Sequence, residues 1–268
     1  MSCIDEFTSY LKANKQEIDK SKKQLPNRKT PYFVVYCSLK DRLLSLSHGA
    51  VKLYLYCGFS INYKSGYFIS SYDCLSTNKY LASMSRRKLR SCINELVTAG
   101  LIYIKTFENK MYIFIRPYDT DICFYDDDSI DTLSYKYSRW VESMKLRDQE
   151  AKVVNPFFFI PKTFMEYYWE RLPQPGSITL YLYCGICMYK SEGYLNKSLP
   201  AMSKELGVTR KTIILWFKDL EDNKLVLRHQ LSLNTSSCTH LLPIKSGIRK
   251  KSSLRHNTDS LKPNEIDL

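Results

Sequence analysis

The chain has 268 residues, 44% of them hydrophobic, and its 40 lysines and arginines outnumber its 27 aspartates and glutamates, which gives a net charge of +13. No uncharged apolar stretch approaches the roughly 20 residues that a membrane span needs, and Asp5, Glu6 and Lys12 argue against a signal peptide. Nine cysteines, an odd number scattered through apolar segments, indicate reduced packing residues rather than a disulfide framework. We therefore expect a globular cytoplasmic protein without a membrane partner.

The positive charge is unevenly distributed along the chain. Residues 31–118 carry a net charge of +8 and residues 151–238 carry +4, whereas residues 119–150 between them carry −5. This distribution predicts a polyanionic partner, and nucleic acid is favoured over anionic lipid because the sequence shows no basic amphipathic helix with a large apolar face. The alternative interpretation is a basic but inert surface.

Residues 31–118 have the pattern of strand, helix, strand, two helices and a closing hairpin. Apolar residues at spacings of three and four indicate the helices, and Ser47 and Ser85 are suitable N-caps for the first and the third. The predicted elements are a strand over 32–36, a helix from Ser47 through 50–55, a small strand over 67–69, a second helix over about 77–82, a third helix from Ser85 to Gly100, and strands over 101–106 and 111–115.

The third helix is predicted to be amphipathic. Leu89, Ile93 and Leu96 recur at spacings of four and three and form its buried stripe. The opposite side then carries Arg86, Arg87, Arg90 and Asn94.

Residues 119–150 form an acidic linker with a predicted helix over about 135–149. Asp126, Asp127 and Asp128 follow one another here, but such a run is more often solvated than metal-binding, and nothing nearby supplies further ligands. An acidic linker would avoid a phosphate backbone and help to hold the flanking basic segments at a set separation. We expect the basic N-terminal arm, 1–30, and the basic C-terminal tail, 246–268, to be mobile arms that add phosphate contacts or simple disordered tails.

A unit of about ninety residues occurs twice. The sequence LYLYCG at residues 53–58 returns unchanged at 180–185, and a Gly-Tyr pair follows eight residues later in each copy. Three further landmarks keep their order. Residues 31–35 match 156–160, residues 85–87 match 209–211, and Leu96 and Leu101-Ile102 match Leu220 and Leu225-Val226. We therefore predict two domains of one fold, residues 31–118 and 151–245.

The second copy predicts the same order of elements. Ser198, with Pro200 in the first turn, begins its second helix, Gly207 permits a tight turn, and Thr209 caps its third helix. The core positions of that third helix are predicted at Ile213, Trp216 or Phe217, and Leu220. A wing strand is predicted over 225–227, a long tip over 232–239 and a return strand over 241–244.

The helix-turn-helix segment of the second copy resembles that of bacterial winged-helix proteins. The resemblance is carried by MSKELGVTRKTI at residues 202–213, continued by Leu220 and by Leu225-Val226. Two such domains in tandem are similar to the layout of plasmid and phage replication initiators and of some regulators. The resemblance implies a mainly α fold with small β-hairpins (α+β), arranged as two tandem winged-helix domains.

A winged helix inserts its third helix into the major groove, which implies roles for the basic residues. Arg87 and Arg90 are predicted to contact base edges, because arginine pairs bidentately with guanine. Phosphate contacts are predicted for Arg86, Lys88, Lys105 and Lys110, and Asn94 belongs to the same face. The predicted DNA-binding residues of the second domain are Arg210, Lys211 and Lys218. The alternative is a solvated helix face.

Ile214 and Leu215 occupy positions that a groove-reading helix usually gives to polar side chains. Contacts to thymine methyl groups, a protein interface, and a wider buried stripe caused by extra packing are the three explanations. We expect packing to be the explanation, which makes the second domain the less certain DNA reader.

Other chemistry is weakly indicated. Cys184 and Cys187 have the spacing of half a zinc site, but no second pair follows, so helical packing is favoured. The sequence lacks a phosphate-binding loop, a dinucleotide fingerprint and a nucleophile turn. We therefore expect no enzyme activity, no cofactor and no metal site.

These observations favour a sequence-specific double-stranded DNA-binding protein of the bacterial cytoplasm, associated with the nucleoid or with a plasmid. A transcriptional regulator is the first interpretation, and an initiator of plasmid or phage DNA replication that binds repeated origin sites is the alternative. A second alternative is a protein-interaction scaffold that binds a protein partner through the second domain.

Overall fold

The computed structural model describes residues 31–117, 122–150, 157–188, 194–230, 237–242 and 244. Within these residues the structure is mixed α+β with small antiparallel sheets. The predicted N-terminal arm, the C-terminal tail, Gly193 and most of the predicted tip in the second half lie outside the described residues.

The first half consists of short helices and strands that contribute to an apolar core shared with the second half. In chain order these are β1 (Tyr32–Tyr36), a 3-10 turn (Cys37–Leu39), α1 (Lys40–Leu44), α2 (His48–Ser60), β2 (Tyr67–Ser70), α3 (Tyr72–Thr77), α4 (Arg86–Thr98), β3 (Ile102–Phe107) and β4 (Lys110–Ile115). The strands β2, β4 and β3 form an antiparallel sheet in that order, with β4 in the centre.

Side-chain caps begin the helices where the sequence predicted them. The Ser47 hydroxyl accepts a hydrogen bond from the Ala50 amide at 3.3 Å, and the Ser85 hydroxyl accepts one from the Lys88 amide at 3.2 Å. Each cap satisfies a backbone donor that the helix itself leaves without a partner. The predicted starts of α2 and α4 are therefore confirmed.

The prediction for α3 was wrong. The helix begins after Ser71, whose hydroxyl accepts from the Cys74 amide at 3.1 Å, and it ends at Thr77 rather than beginning there. The Thr77 hydroxyl donates back to the Asp73 carbonyl at 3.0 Å, and Asn78 adopts an extended conformation. The backbone leaves the helix at Asn78, so the segment after it forms turns instead.

The linker contains α5 (Ile130–Glu150). The second half then runs through β5 (Phe157–Pro161), α6 (Lys162–Tyr168), α7 (Ser177–Cys187), β6 (Leu195–Lys197), α8 (Leu199–Leu206), α9 (Arg210–Asp222), β7 (Val226–Gln230) and β8 (Ser237–Leu241). The strands β6, β8 and β7 form a sheet in that order. Its order of helices and strands from α7 to β8 matches that from α2 to β4.

The return strand of the second half lies earlier than predicted. It ends at Leu241, where the prediction placed its first residue, and Cys238 pairs with His229 across the hairpin. All five of its residues are buried because β8 is the central strand between β6 and β7. Buried Ser237, Thr239 and His240 gave the strand a polar sequence, which resembled a loop.

The helix of the linker is also longer than predicted and packs on the first half. It begins at Ile130 instead of about Tyr135, and it buries Leu133, Tyr137 and Trp140. The Tyr137 ring lies so close to Gly66, which has φ +76°, that a Cβ at this glycine would be 2.1 Å from the ring. A side chain at Gly66 would therefore displace the linker helix.

The first strands of the two halves pair with each other. β1 and β5 are antiparallel, with Val34 opposite Phe159 at the centre of the register. These two residues occupy corresponding positions of the predicted repeat, and the register is symmetric about them. The phenylalanines one residue before them, Phe33 and Phe158, pack against Gly58 and Gly185, where a Cβ would lie 2.5 Å and 2.4 Å from the ring.

Polar side chains also join the halves. The ammonium of Lys40 in α1 lies 2.7 Å from the carboxylate of Glu205 in α8, which also accepts from Lys197 and from the Tyr183 hydroxyl. Burial opposes the charge of Glu205, but the hydrogen bonds from the two lysines outweigh this and lower its pKa to about 2. The Trp169 indole donates to the Tyr80 carbonyl at 2.7 Å.

Candidate nucleic-acid interface

Helix α4 presents one basic face to solvent. Leu89, Cys92, Ile93 and Leu96 are buried against the first half, as the apolar spacing predicted for three of them. The exposed side chains of the helix are Arg86, Arg87, Lys88, Arg90, Ser91, Asn94, Val97 and Thr98. The predicted DNA-binding residues of this helix thus share one exposed surface, here called the α4 face.

The preceding helix α3 holds two of these arginines. One guanidinium nitrogen of Arg86 lies 3.1 Å from a carboxylate oxygen of Asp73, and the guanidinium of Arg90 lies over the Tyr72 ring at 5.1 Å from its centroid. Both groups of the ion pair are more than half exposed, so its contribution to stability is small. Sequence reasoning missed Tyr72 and Asp73 because it placed α3 too late.

The hairpin beside α4 separates the two lysines that were predicted to act together. Glu108 and Asn109 form its tip with φ of 47° and 60°, and Lys110 is exposed directly after them. Lys105 instead donates from its ammonium to the Asp126 carbonyl of the linker. The phosphate contact of Lys105 stays a prediction, and in this structure its ammonium is engaged by the acidic segment.

Helix α9 presents a different surface in the second half. Ile213, Trp216, Phe217 and Leu220 are buried, so both aromatic candidates belong to the core. The exposed residues of this helix are Arg210, Lys211, Ile214, Leu215, Lys218, Glu221 and Asp222, and the first five are here called the α9 face. Ile214 and Leu215 are 48% and 52% exposed, so the expectation that packing explains them was wrong.

Each of these helices is anchored by one acidic side chain. Glu95 of α4 accepts hydrogen bonds from the Ser47 amide at 2.9 Å and from the Ser47 hydroxyl at 3.0 Å, at the start of α2. Asp219 of α9 accepts from the Ser177 hydroxyl at 2.7 Å and from the Gln174 amide at 3.1 Å, at the start of α7. Sequence reasoning missed both, although an acidic residue ten positions after each helix cap was a visible signal.

His48 of the first half contacts α9 of the second half. The His48 ring, at the start of α2, contacts the Trp216 ring of α9 and lies within hydrogen-bonding distance of the Thr179 hydroxyl, at 3.1 Å. Burial, and secondarily the positive charge of Lys88, lowers the pKa of His48. Burial therefore favours the neutral imidazole at this contact.

The linker aspartates do not act as one group. Asp126 and Asp127 are exposed, whereas Asp128 forms an ion pair with Lys136 at 2.6 Å and accepts from the Tyr125 amide. Burial raises the pKa of Asp128, but these hydrogen bonds outweigh it and the net shift is downward. Among the described residues, no group of three or more histidines, cysteines and carboxylates could hold a metal ion.

The two cysteines of the possible half zinc site lie in α7. Cys184 is buried and Cys187 is partly buried near Lys40 and Lys197. Burial is the main cause that raises the pKa of both thiols, so the neutral thiol is favoured. None of the helices in the described ranges is long and apolar enough to cross a membrane.

No protein-family model matches the chain, and comparisons with curated proteins and with solved structures gave no match either.

Proposed function

We propose that this chain is a sequence-specific double-stranded DNA-binding protein made of two winged-helix units that arose as a tandem repeat. The observation that carries the proposal is the α4 face, where four cations and an asparagine share the exposed side of an amphipathic helix. The order of elements supports the winged-helix assignment, because each half has a helix, a strand, two further helices and a hairpin whose return strand is central in the sheet.

The dimensions of α4 suit a major groove. Its 13 residues span about 20 Å, and the groove is about 12 Å wide. Arg87 and Arg90 project from the first two turns, where a recognition helix contacts base edges. In this arrangement they pair with guanine, while Arg86, Lys88 and Lys110 contact phosphates.

The second half adds a second reading helix that is joined to the first. The β1–β5 pairing, the Lys40–Glu205 ion pair and the His48–Trp216 contact connect the halves. Once one helix is bound, this coupling raises the local concentration of the other at its part of the site. The bound site is therefore bipartite, and a single chain suffices to occupy it.

The role that we propose for this binding is transcriptional regulation. Replication initiation is the second candidate, because the coupling of two reading helices in one chain also suits an initiator that occupies repeated origin sites. A reporter gene behind the selected DNA site and a plasmid that carries the same site separate the two roles. Regulation predicts a change in reporter expression, and initiation predicts that maintenance of the plasmid depends on the protein.

The test of DNA binding uses the full chain in two steps. Selection from a random duplex pool yields the preferred site, and a salt titration on that site measures the number of phosphate contacts. We expect the double variant R87A/R90A to bind the selected site at least about 10-fold more weakly, since each arginine–guanine pair contributes about 1–3 kcal/mol. Absence of binding to any duplex at low salt would refute the proposal.

The matched control removes two charges elsewhere. Arg42 in α1 and Arg139 in α5 are exposed and lie outside the α4 and α9 faces. The variant R42A/R139A has the same net charge as R87A/R90A, so it reports the effect of charge alone. Equal losses in the two variants would show that binding is general electrostatic attraction and that α4 does not read sequence.

A further inference from the structure

The structure sets α4 and α9 in the same register on their own halves. Ser47 lies six residues before the repeated LYLYCG segment and Gln174 lies six residues before its copy, and their amides donate to Glu95 and Asp219 respectively. Glu95 and Asp219 each lie ten residues after the cap of their helix, Ser85 or Thr209. The two helices can therefore be compared position by position.

This comparison shows a reversal of chemistry at the centre of the exposed face. Arg90 corresponds to Ile214, and Ser91 corresponds to Leu215. Arg90 presents an exposed guanidinium in the first half. Ile214 and Leu215 present exposed aliphatic side chains in the second half. The cations one turn earlier are kept, since Arg86 and Arg87 correspond to Arg210 and Lys211.

Three cations neighbour the aliphatic pair of the α9 face, and the exposed carboxylates Glu221 and Asp222 lie beyond Lys218. Lys211 and Lys218 each lie three or four residues from both Ile214 and Leu215, and Arg210 lies four residues before Ile214. Residues at these spacings are neighbours on a helix surface. Charged residues, and lysine in particular, are rare at the centre of a protein-binding patch. A DNA major groove instead has phosphates at its edges and the C5 methyl of thymine on its floor.

We infer that the α9 face reads thymine through contacts of Ile214 and Leu215 with C5 methyl groups, whereas the α4 face reads guanine. This inference rests on the proposed function and specifies it further. The bipartite site then has two halves of different composition, one defined by guanines and one by thymines. Lys211, Lys218 and Arg210 contact the phosphates that border the thymine half.

The experiment is a deoxyuridine scan of the selected site with the full chain. Replacing a thymine by deoxyuridine removes the C5 methyl and leaves the base pair unchanged. Burial of one methyl group corresponds to about 0.8 kcal/mol, so we expect each contacted thymine to lose about 4-fold in affinity when its methyl is removed. The wild-type chain reports this effect without any substitution in the protein.

The variant I214A/L215A identifies the contacting helix. Both side chains are exposed, so their truncation is expected to leave the fold intact, which thermal melting of the variant checks. For the thymines read by α9, the variant should bind thymine and deoxyuridine duplexes equally. S91A in α4 is the control at the position that corresponds to Leu215, and it should retain the full effect of the deoxyuridine scan.

The outcomes separate the inference from the proposed function. If the chain binds the selected site through Arg87 and Arg90 but no thymine shows a methyl effect, the inference is wrong while DNA binding stands. The same conclusion follows if I214A/L215A retains the full methyl effect, and a protein partner would then be the explanation for the α9 face. If the chain binds no duplex at all, the proposed function itself fails.

Discussion

The imidazole of His48 meets the indole of Trp216 edge to face, with the ring centroids 4.9 Å apart. His48 begins α2 in the first half, and Trp216 lies on the buried side of α9 in the second. An edge-to-face pair of this kind contributes about 0.5–1.5 kcal/mol beyond the burial of its surface. The contact thus ties the position of α9 to the start of α2, where Ser47 anchors Glu95 of α4.

This histidine predicts a stability that depends on pH. Its pKa is lowered in the folded protein, so protonation favours the unfolded chain. The stabilisation is present above the ordinary pKa of 6.5 and is lost as the pH falls below it toward the folded value. Thermal melting measures this between pH 7.5 and pH 5. As the pH is lowered, the melting temperature of the wild type should decrease more steeply than that of H48F, which keeps an aromatic ring. Parallel curves for the two proteins would contradict this prediction.

The lowered pKa of Glu205 predicts a second loss of stability at more acidic pH. Its folded pKa of about 2 is lower than the ordinary 4.5, so its contribution is present above pH 4.5 and is lost as the pH falls toward 2. We expect E205Q to lose about 1–2 kcal/mol of unfolding free energy at pH 7, because two lysines lose a charged partner that is about 30% exposed. Urea denaturation measures this loss. E166Q, at an exposed position of α6, is the control and should be near wild type.

The glycines of the repeated segment predict a packing defect. In G58A the new methyl group would overlap the Phe33 ring, because a Cβ there lies 2.5 Å from its atoms. We expect a loss of about 1–3 kcal/mol in unfolding free energy, measured by urea denaturation. The smaller side chain of F33L should recover part of this loss in the double variant G58A/F33L. If the loss of unfolding free energy in G58A/F33L equals the sum of the losses in G58A and F33L, the overlap is not the cause.

Two lysines of one hairpin predict different effects on DNA binding. Lys110 is exposed after the tip, whereas the ammonium of Lys105 is engaged by the Asp126 carbonyl. K110A should reduce the slope of log affinity against log salt by about one, as expected for one lost phosphate contact. K105A removes the same charge from the same hairpin and should leave the slope unchanged. Equal slopes for the two variants would show that the linker contact does not decide which lysine binds.

The correspondence between Arg90 and Ile214 predicts a change of specificity. I214R places on α9 the residue that α4 carries at the matched position. Selection from a random duplex pool should then recover guanine at a position where the wild-type chain selects thymine, because arginine pairs with guanine O6 and N7. K204R on α8 serves as a control that alters a nearby cation without changing the α9 face, and its selected site should match that of the wild type. An unchanged thymine preference in I214R would contradict the prediction.

The amino-acid sequence by itself determined the local features of this protein. Ser47, Ser85, Ser198 and Thr209 fix the starts of their helices because a cap acts on amides only two or three residues away. The buried and exposed sides of α4 follow from helical spacing, which depends on near neighbours alone. These signals predicted the α4 face and located the hairpin beside it.

The tertiary structure decided what depends on distant partners. Polar Ser237 and Thr239 belong to a buried strand because β6 and β7 flank it, and the ammonium of Lys105 is engaged by a linker carbonyl 21 residues away. Whether Ile214 was buried depended on what packs above α9, which no pattern within the helix specifies. The pairing of β1 with β5 likewise joins residues more than a hundred positions apart, and only the folded chain brings them together.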